Sequence, residues 1–245
     1  MESRNFQLDT EWCMIHYPDK PSGFGILIIG DDRHFVDAGS SFWTQNEGKF
    51  ALIKKLKENG YTIFYSNLYG RHWGSDKAVD KAKCLYEYIV RTEIINEKIH
   101  IIAEGMGSLA AFKLIQEMGD KVRSALLVNP ILSLKHHLNQ EKEHKFFYKK
   151  LLTELSNSYE LETGKIPEIL SRHEKNLTEG LEVPIRIIQI LSGGRAYKQS
   201  EYLKKRSIQW ENENAPISVI YMLPGKKQRI SSQMTSFFRK YEKEL

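Results

Sequence analysis

The feature that most constrains the fold is an alternation between short apolar runs and longer amphipathic segments. The runs are rich in β-branched and aromatic residues, as expected of buried strands. They occupy residues 12–17, 25–30, 61–68, 99–105, 122–130, 184–191 and 216–223. This alternation is typical of an α/β fold with a mostly parallel central sheet and helices on both faces.

Several segments between these runs have helical spacing of apolar residues. Residues 46–60 place Phe50, Ile53 and Leu56 on one face, and the pattern stops at Gly60, a predicted C-terminal cap. A second helix is predicted after Asp76, which we take as its N-cap. Further helices are predicted over residues 107–118, 200–210 and 230–245.

The region from about residue 131 to 182 breaks this rhythm. It is polar, has a helical character and contains no clear strand. An interval of that length is too long for a simple connection between two strands. With 245 residues, the chain therefore predicts a single domain over 1–245 with a helical insertion at about 131–182.

Composition excludes several classes of function. The net charge of +5 comes from 36 basic and 31 acidic residues in mixed runs, so we expect no nucleic-acid partner. No apolar run approaches the 18 to 20 residues, roughly, that span a bilayer, and the first residues lack the apolar core of a secretory signal. Two cysteines indicate neither a disulfide framework nor a metal site. We expect a cytoplasmic protein with no membrane association, metal or cofactor.

The run IHIIAEGMGSLA at 99–110 has the outline of a strand–turn–helix elbow. Residues beside the apex of such a turn must be small, because the strand and the helix approach each other closely. The apex backbone is strained for any residue with a side chain, by about 1–3 kcal/mol, and glycine adopts it freely. Gly105 stands at this apex, with Gly107 beside it.

The element order, the elbow and the insertion together resemble the α/β-hydrolase fold family over essentially the whole chain. That family's motif, most often written G-x-S-x-G, aligns with residues 103–107, AEGMG, followed by Ser108. The resemblance implies that Gly105 occupies the position of the nucleophile. Ser108 is an alternative nucleophile, but it lies in the first turn of the next helix, where we expect it to face helix packing.

The other two members of the family's triad are also missing from their expected positions. The acid is expected in the run 189–195, which contains no carboxylate, and the histidine in 223–229, which contains no histidine. A serine hydroxyl needs a base, and the base needs an orienting acid. The resemblance therefore implies a natural loss of the triad.

The loop after the 25–30 run is where related hydrolases donate an oxyanion-binding amide. Here it contains Asp31 and Asp32, which place negative charge where an oxyanion would have to be stabilised. The amides of Met106 and Gly107 are expected at a helix N-terminus, where they could hold an anion. We predict that these residues, together with Gly105, belong to a ligand-binding site.

Two further groups of residues are candidates on position. Arg71 and His72 follow the 61–68 run, and loops at the carboxyl ends of parallel strands line the ligand crevice. His136, His137 and His144 lie within the insertion, but their spacing does not match a zinc motif.

Three hypotheses follow. The first is a catalytically degenerate hydrolase-like protein that binds a small ligand, anionic or not, or a protein partner through the former pocket or the insertion. The second is an enzyme with a relocated constellation drawn from Glu104, Asp31, Asp32, His34 and His72, in which Glu104 pairs with a histidine. The third is an assembly role through residues 131–182, including a homodimer.

Overall fold

The computed structural model describes residues 2–166, 170, 180–191 and 195–242, except the side chains of 195–198. Within these residues the strands are β1 (Ser3–Leu8), β2 (Glu11–His16), β3 (Gly25–Ile29), β4 (Thr62–Ser66), β5 (Ile99–Glu104), β6 (Val122–Val128), β7 (Ile185–Ile190) and β8 (Ile217–Met222). They form one sheet in the order β1-β2-β4-β3-β5-β6-β7-β8.

In this order, the strands from β4 to β8 run parallel to one another. Strand β2 pairs antiparallel with both β1 and β4, and every other pairing is parallel. All residues of β3, β4 and β5 are buried, which is why these strands read as continuous apolar runs. The predicted α/β class with a mostly parallel sheet is confirmed.

Strand β1 was not predicted from the sequence. Its residues, SRNFQL, are mostly exposed or half-buried, because β1 is an edge strand with only one neighbour. An edge strand does not need a continuous apolar run, so it carries a weaker sequence signal than the central strands.

Helices cover both faces of the sheet. They are α1 (Phe42–Gln45), α2 (Glu47–Glu58), α3 (Asp76–Thr92), α4 (Gly107–Met118), α5 (Leu134–Glu141), α6 (Lys145–Tyr159), α7 (Arg195–Asn212) and α8 (Ile230–Phe238). Helices α3, α4 and α7 bury apolar side chains in one core cluster. Helices α2 and α8 contribute to a second cluster, and alternate residues of the strands divide between the two.

The predicted ends of two helices can be compared with the structure. Helix α2 ends as expected: Gly60, at φ +90°, donates its amide to Lys57, and the Tyr61 amide bonds the carbonyl of Leu56. The predicted N-cap of α3 was wrong by one residue. Ser75 is the N-cap, and Asp76 is the first helical residue, where its charge still favours the helix dipole.

The 131–182 segment contains α5, α6 and a short 3-10 helix at Thr163–Lys165. Its apolar side chains pack in a third cluster against Trp73, Met106 and Leu109, residues of the loops and helix at the carboxyl edge of the sheet. Residues 167–169 and 171–179 lie outside the described residues. The segment therefore contacts the sheet edge at which the elbow lies.

No helix among the described residues has both the length and the apolar character needed to cross a bilayer.

Four buried histidines make stability sensitive to acid. Burial lowers the pKa of His16 and His34 to about 4 and that of His72 to about 3, and it also lowers the pKa of His100. The folded state therefore favours neutral imidazoles, whereas the unfolded chain takes up protons near pH 6.5.

We expect the free energy of unfolding to fall as the pH drops from about 6.5 towards 4. Each imidazole contributes up to about 1.4 kcal/mol per pH unit, because the unfolded state binds the extra proton. Urea unfolding at pH 7.5, 6 and 5 measures this slope. His16→Gln should reduce it, whereas His144→Gln, at an exposed position, should not. An unchanged slope in His16→Gln would contradict the assignment.

Candidate functional site

The elbow lies between β5 and α4, with Gly105 at its apex. Gly105 has φ +49°, a conformation that side-chain-bearing residues rarely adopt. Its amide donates to Val128 at 3.2 Å, and its carbonyl accepts from the Ile131 amide at 2.9 Å. The turn is therefore tied to the end of β6 and to the start of the 131–182 segment.

Gly107 allows the helix to begin close to the sheet. A Cβ at this position would lie 2.5 Å from the carbonyl oxygen of Ile29 and 2.7 Å from that of Gly30. No side chain fits there without moving the backbone of β3. The small residue expected beside the apex therefore has a direct steric cause.

The Asp31 carboxylate fills the space that an apex side chain would occupy. A Cβ built on Gly105 would lie 2.1 Å from both Cγ and Oδ1 of Asp31. The same Oδ1 accepts a hydrogen bond of 3.0 Å from the Met106 amide. Of the two amides predicted to hold an anion, that of Met106 therefore already binds a carboxylate of the chain itself.

The surroundings of Asp31 act on its charge in opposite directions. Burial is the largest effect and raises the pKa of Asp31, and the charges of Asp32 and Glu104 raise it further. The Met106 hydrogen bond lowers it. The net pKa lies above the usual value, so the protonated form of Asp31 is favoured more than that of an exposed carboxyl.

Glu104, which ends β5 just before the apex, pairs with Lys49 of α2. The Lys49 ammonium also lies 4.8 Å from the centre of the Trp43 ring. Within the described residues no hydrogen bond joins Glu104 to His34 or His72, the two histidines considered as its partners. Sequence reasoning missed Lys49. The available signal was its place in the first turn of a helix that follows a strand at the same sheet edge.

His34 is held inside the protein by two hydrogen bonds. Its Nε2 donates to the Ser66 carbonyl at 2.9 Å, and its Nδ1 accepts from the Trp43 indole at 3.0 Å. Both ring nitrogens are therefore engaged, and burial lowers the pKa to about 4. His34 lies at the predicted edge but positions Trp43 and the end of β4.

Arg71 and His72 lie in the loop after β4, as predicted, but they point in different directions. His72 is buried, and its Nδ1 accepts from the Gly74 amide at 3.1 Å within the same loop. Arg71 is exposed and pairs with Glu154 of α6 at 3.1 Å. Glu154 also accepts from the Trp73 indole at 3.1 Å, so this loop anchors α6.

Ser108 lies in the first turn of α4, as expected. It is fully buried, and its Oγ has no hydrogen-bond partner among the described residues.

A cavity of about 1040 Å³ opens over the elbow. Asp31, Asp32, Glu104 and Gly105 line it on the sheet side, and residues of α5, α6 and the 224–231 region line it elsewhere. Lys227 and Gln228, from the stretch where a catalytic histidine was sought, are among them. In the stretch 189–195, where the resemblance implies the catalytic acid, Ile190 lines the cavity and residues 192–194 lie outside the described residues.

Of the four histidines in the 131–182 segment, His173 lies outside the described residues, and the other three have separate partners. His136 bonds Gln140 at 2.9 Å and stacks on Tyr202, His137 lies against Trp73, and His144 lies against Phe147. No group of three metal-ligating side chains occurs in the part of the chain that the structure describes.

A Ser–His–Glu series lies at the opposite edge of the sheet. The Ser124 Oγ is 2.8 Å from His100 Nδ1, and His100 Nε2 is 3.2 Å from Glu242 Oε1. Ser124 and His100 are fully buried, and Glu242 also accepts a hydrogen bond from Tyr61. Because no substrate can reach this serine, the series is an internal connection between the sheet and the C-terminal residues.

Three solved structures illustrate what the fold resembles. A puromycin-hydrolyzing peptidase from Mycobacterium tuberculosis matches 99% of this chain at 13% identity with a TM-score of 0.75, although the match spans only 40% of the peptidase. Est1E from Butyrivibrio proteoclasticus matches at 11% identity and a TM-score of 0.67 over 99% of both chains. FphF, a fluorophosphonate-binding serine hydrolase of Staphylococcus aureus, matches at 14% identity with a TM-score of 0.62 over 97% of both chains.

The chain has the α/β-hydrolase fold. No protein-family model matches its sequence, and no curated protein matches it either. At identities of 11–14%, the structural likeness defines the fold and leaves the chemistry of this α/β-hydrolase-fold site to its own residues.

We expect Gly105→Ala to destabilise the protein by about 2–5 kcal/mol, because the new Cβ combines a strained turn with overlap on Asp31. Gly70→Ala is the matched control: Gly70 has φ +72°, but a Cβ there meets nothing within 4 Å. Urea unfolding of both variants, alone and with Asp31→Ala, separates the two effects. In the Asp31→Ala background the Gly105→Ala cost should fall to that of Gly70→Ala. A cost independent of Asp31 would contradict the steric argument.

Proposed function

We propose that this chain is a catalytically degenerate member of the α/β-hydrolase fold that binds a small ligand in the cavity over the elbow. The observation that carries the proposal is the position of Asp31. Its carboxylate fills the apex side-chain space at Gly105 and takes the Met106 amide. In an acyl-transfer site the same space holds the nucleophile, and a helix N-terminal amide of this kind stabilises the oxyanion.

The states of His34, His72 and Glu104 support the same proposal. Attack by a hydroxyl at neutral pH requires a basic group within hydrogen-bonding reach. His34 and His72 are buried and hydrogen-bonded to neighbouring structure, and burial shifts the pKa of each well below neutral. The carboxylate beside the apex, Glu104, is paired with an ammonium.

Ligand binding needs only the cavity, which remains. Its volume of about 1040 Å³ is suited to a drug-sized molecule. Apolar side chains such as Phe42, Leu52 and Ile131 line it together with charged groups, the usual composition of a small-molecule site. A protein partner at the 131–182 segment is the alternative.

We expect no turnover of short-chain p-nitrophenyl esters above the uncatalysed rate, and no serine labelled by a fluorophosphonate probe. FphF provides a positive control of the same fold. Labelling of any serine would overturn the proposal. Turnover without labelling that is lost in Glu104→Gln would instead support a relocated acid–base site.

We also expect Gly105→Ser to remain inactive, with or without Asp31→Ala to make room for the hydroxyl. His34 and His72 are buried and hydrogen-bonded to other groups, so neither should remove the proton of a serine at the apex, and ester hydrolysis should stay at background. Matched circular-dichroism spectra would establish that the double variant is folded. Esterase activity in the folded double variant would mean that a base lies near the apex.

A further inference from the structure

The buried polar groups of the cavity are mainly hydrogen-bond acceptors. Glu104 and Glu141 are less than a tenth exposed, and Asp31 and Asp32 are half-buried on the same wall as Glu104. Among the described residues of the sheet-side wall, one partly buried cation, Lys49, faces Asp31, Asp32 and Glu104, and it pairs with Glu104. The sheet side of the cavity therefore carries an excess of negative charge.

The other basic residues in the described lining of the cavity are exposed to solvent. Arg33, Lys150 and Lys227 line it but are exposed. Lys150 also lies 3.8 Å from Glu154. Charges in contact with water are screened and act weakly on a group held inside the cavity. The inner wall consequently disfavours an anion and favours a cation.

An independent observation comes from helix α7. Gln199 of α7 lines it and is only 5% exposed. Its Nε2 donates to Gln140 Oε1 at 3.0 Å, which fixes the orientation of the amide. The remaining Oε1 is buried and has no hydrogen-bond partner among the described residues. A buried acceptor of this kind is unfavourable until something donates to it.

Much of the remaining lining is apolar. Phe42, Leu52, Ile131, Leu151 and Ile190 line the space between the polar groups. A ligand that fits must therefore combine an apolar body with hydrogen-bond donors, and the donors must carry positive charge where they meet the carboxylates.

We propose that the cavity binds an organic amine: a protonated ammonium on an apolar body, with the ammonium at the Asp31 carboxylate and a further donor facing Gln199. This inference rests on the proposed function, since it assumes that the cavity is a ligand site. The proposed cation takes the place of the anionic ligand that the sequence left open, because Asp31 already accepts the hydrogen bond of the Met106 amide.

The test compares three probes with the same body: 3-phenylpropylamine, 3-phenylpropanol and 3-phenylpropionate. Isothermal titration calorimetry at pH 7.5 and low salt measures the Kd of each. The amine should bind at least tenfold more tightly than the carboxylate, with the alcohol between them. Equal or tighter binding of the carboxylate would overturn the inference and leave ligand binding standing. No binding of any probe up to 10 mM, roughly, would count against both.

Variants locate the charge that selects the amine. Asp31→Asn keeps an acceptor for the Met106 amide but removes the charge, so the Kd of the amine should rise about tenfold and that of the alcohol should not change. Asp19→Asn removes an equal charge at an exposed site and should leave both affinities unchanged. Asp32→Asn provides a second removal on the same wall and should weaken the amine alone. An amine affinity insensitive to both Asp31→Asn and Asp32→Asn would contradict the proposed position.

Discussion

The contact between the Asp31 carboxylate and the Gly105–Met106 turn is the interaction on which the site depends. It requires glycine at residue 105, since any Cβ there would overlap the carboxylate. It also occupies the Met106 amide, which would otherwise be open to a ligand. The missing side chain at the apex and the acidic residue in the preceding loop are therefore two parts of one arrangement, although they lie 74 residues apart in the sequence, from Asp31 to Gly105.

The sheet explains how these distant residues meet. Strands β3 and β5 are parallel neighbours, so the loop after β3 and the turn after β5 lie side by side at the carboxyl edge. Gly107 lets α4 start against the carbonyls of β3, which brings the Met106 amide within reach of Asp31. Lys49, from the first turn of α2, reaches Glu104 across the same edge. The backbone thus assembles a charged wall from three separate connections.

The sequence predicted the central strands, the long helices and the elbow, because each has a local signal: a buried run, a helical period or a run of small residues. It did not predict β1, which is an edge strand, or the four-residue helix α1. It placed Asp31 correctly near the elbow as an unfavourable charge, but not its contact with Gly105. The roles of His34 and His72 could not be predicted from the sequence either. Whether a histidine is a base or a buried hydrogen-bonding group depends on partners such as Trp43 and Ser66, which only the tertiary structure brings together.

The elbow of this fold is suited to negative charge, since its amides lie at the N-terminus of a helix. In an acyl-transfer site that charge develops on the substrate and the protein supplies the donors. Here the protein supplies the negative charge through Asp31, which already accepts the hydrogen bond of the Met106 amide. A carboxylate on a ligand would meet Asp31, Asp32 and Glu104, and the Met106 amide is already bound to Asp31, whereas a cation would meet these carboxylates favourably. The same backbone that stabilises an oxyanion in a hydrolase thus becomes, once a carboxylate of the chain is bound to it, the foundation of a site for positive charge.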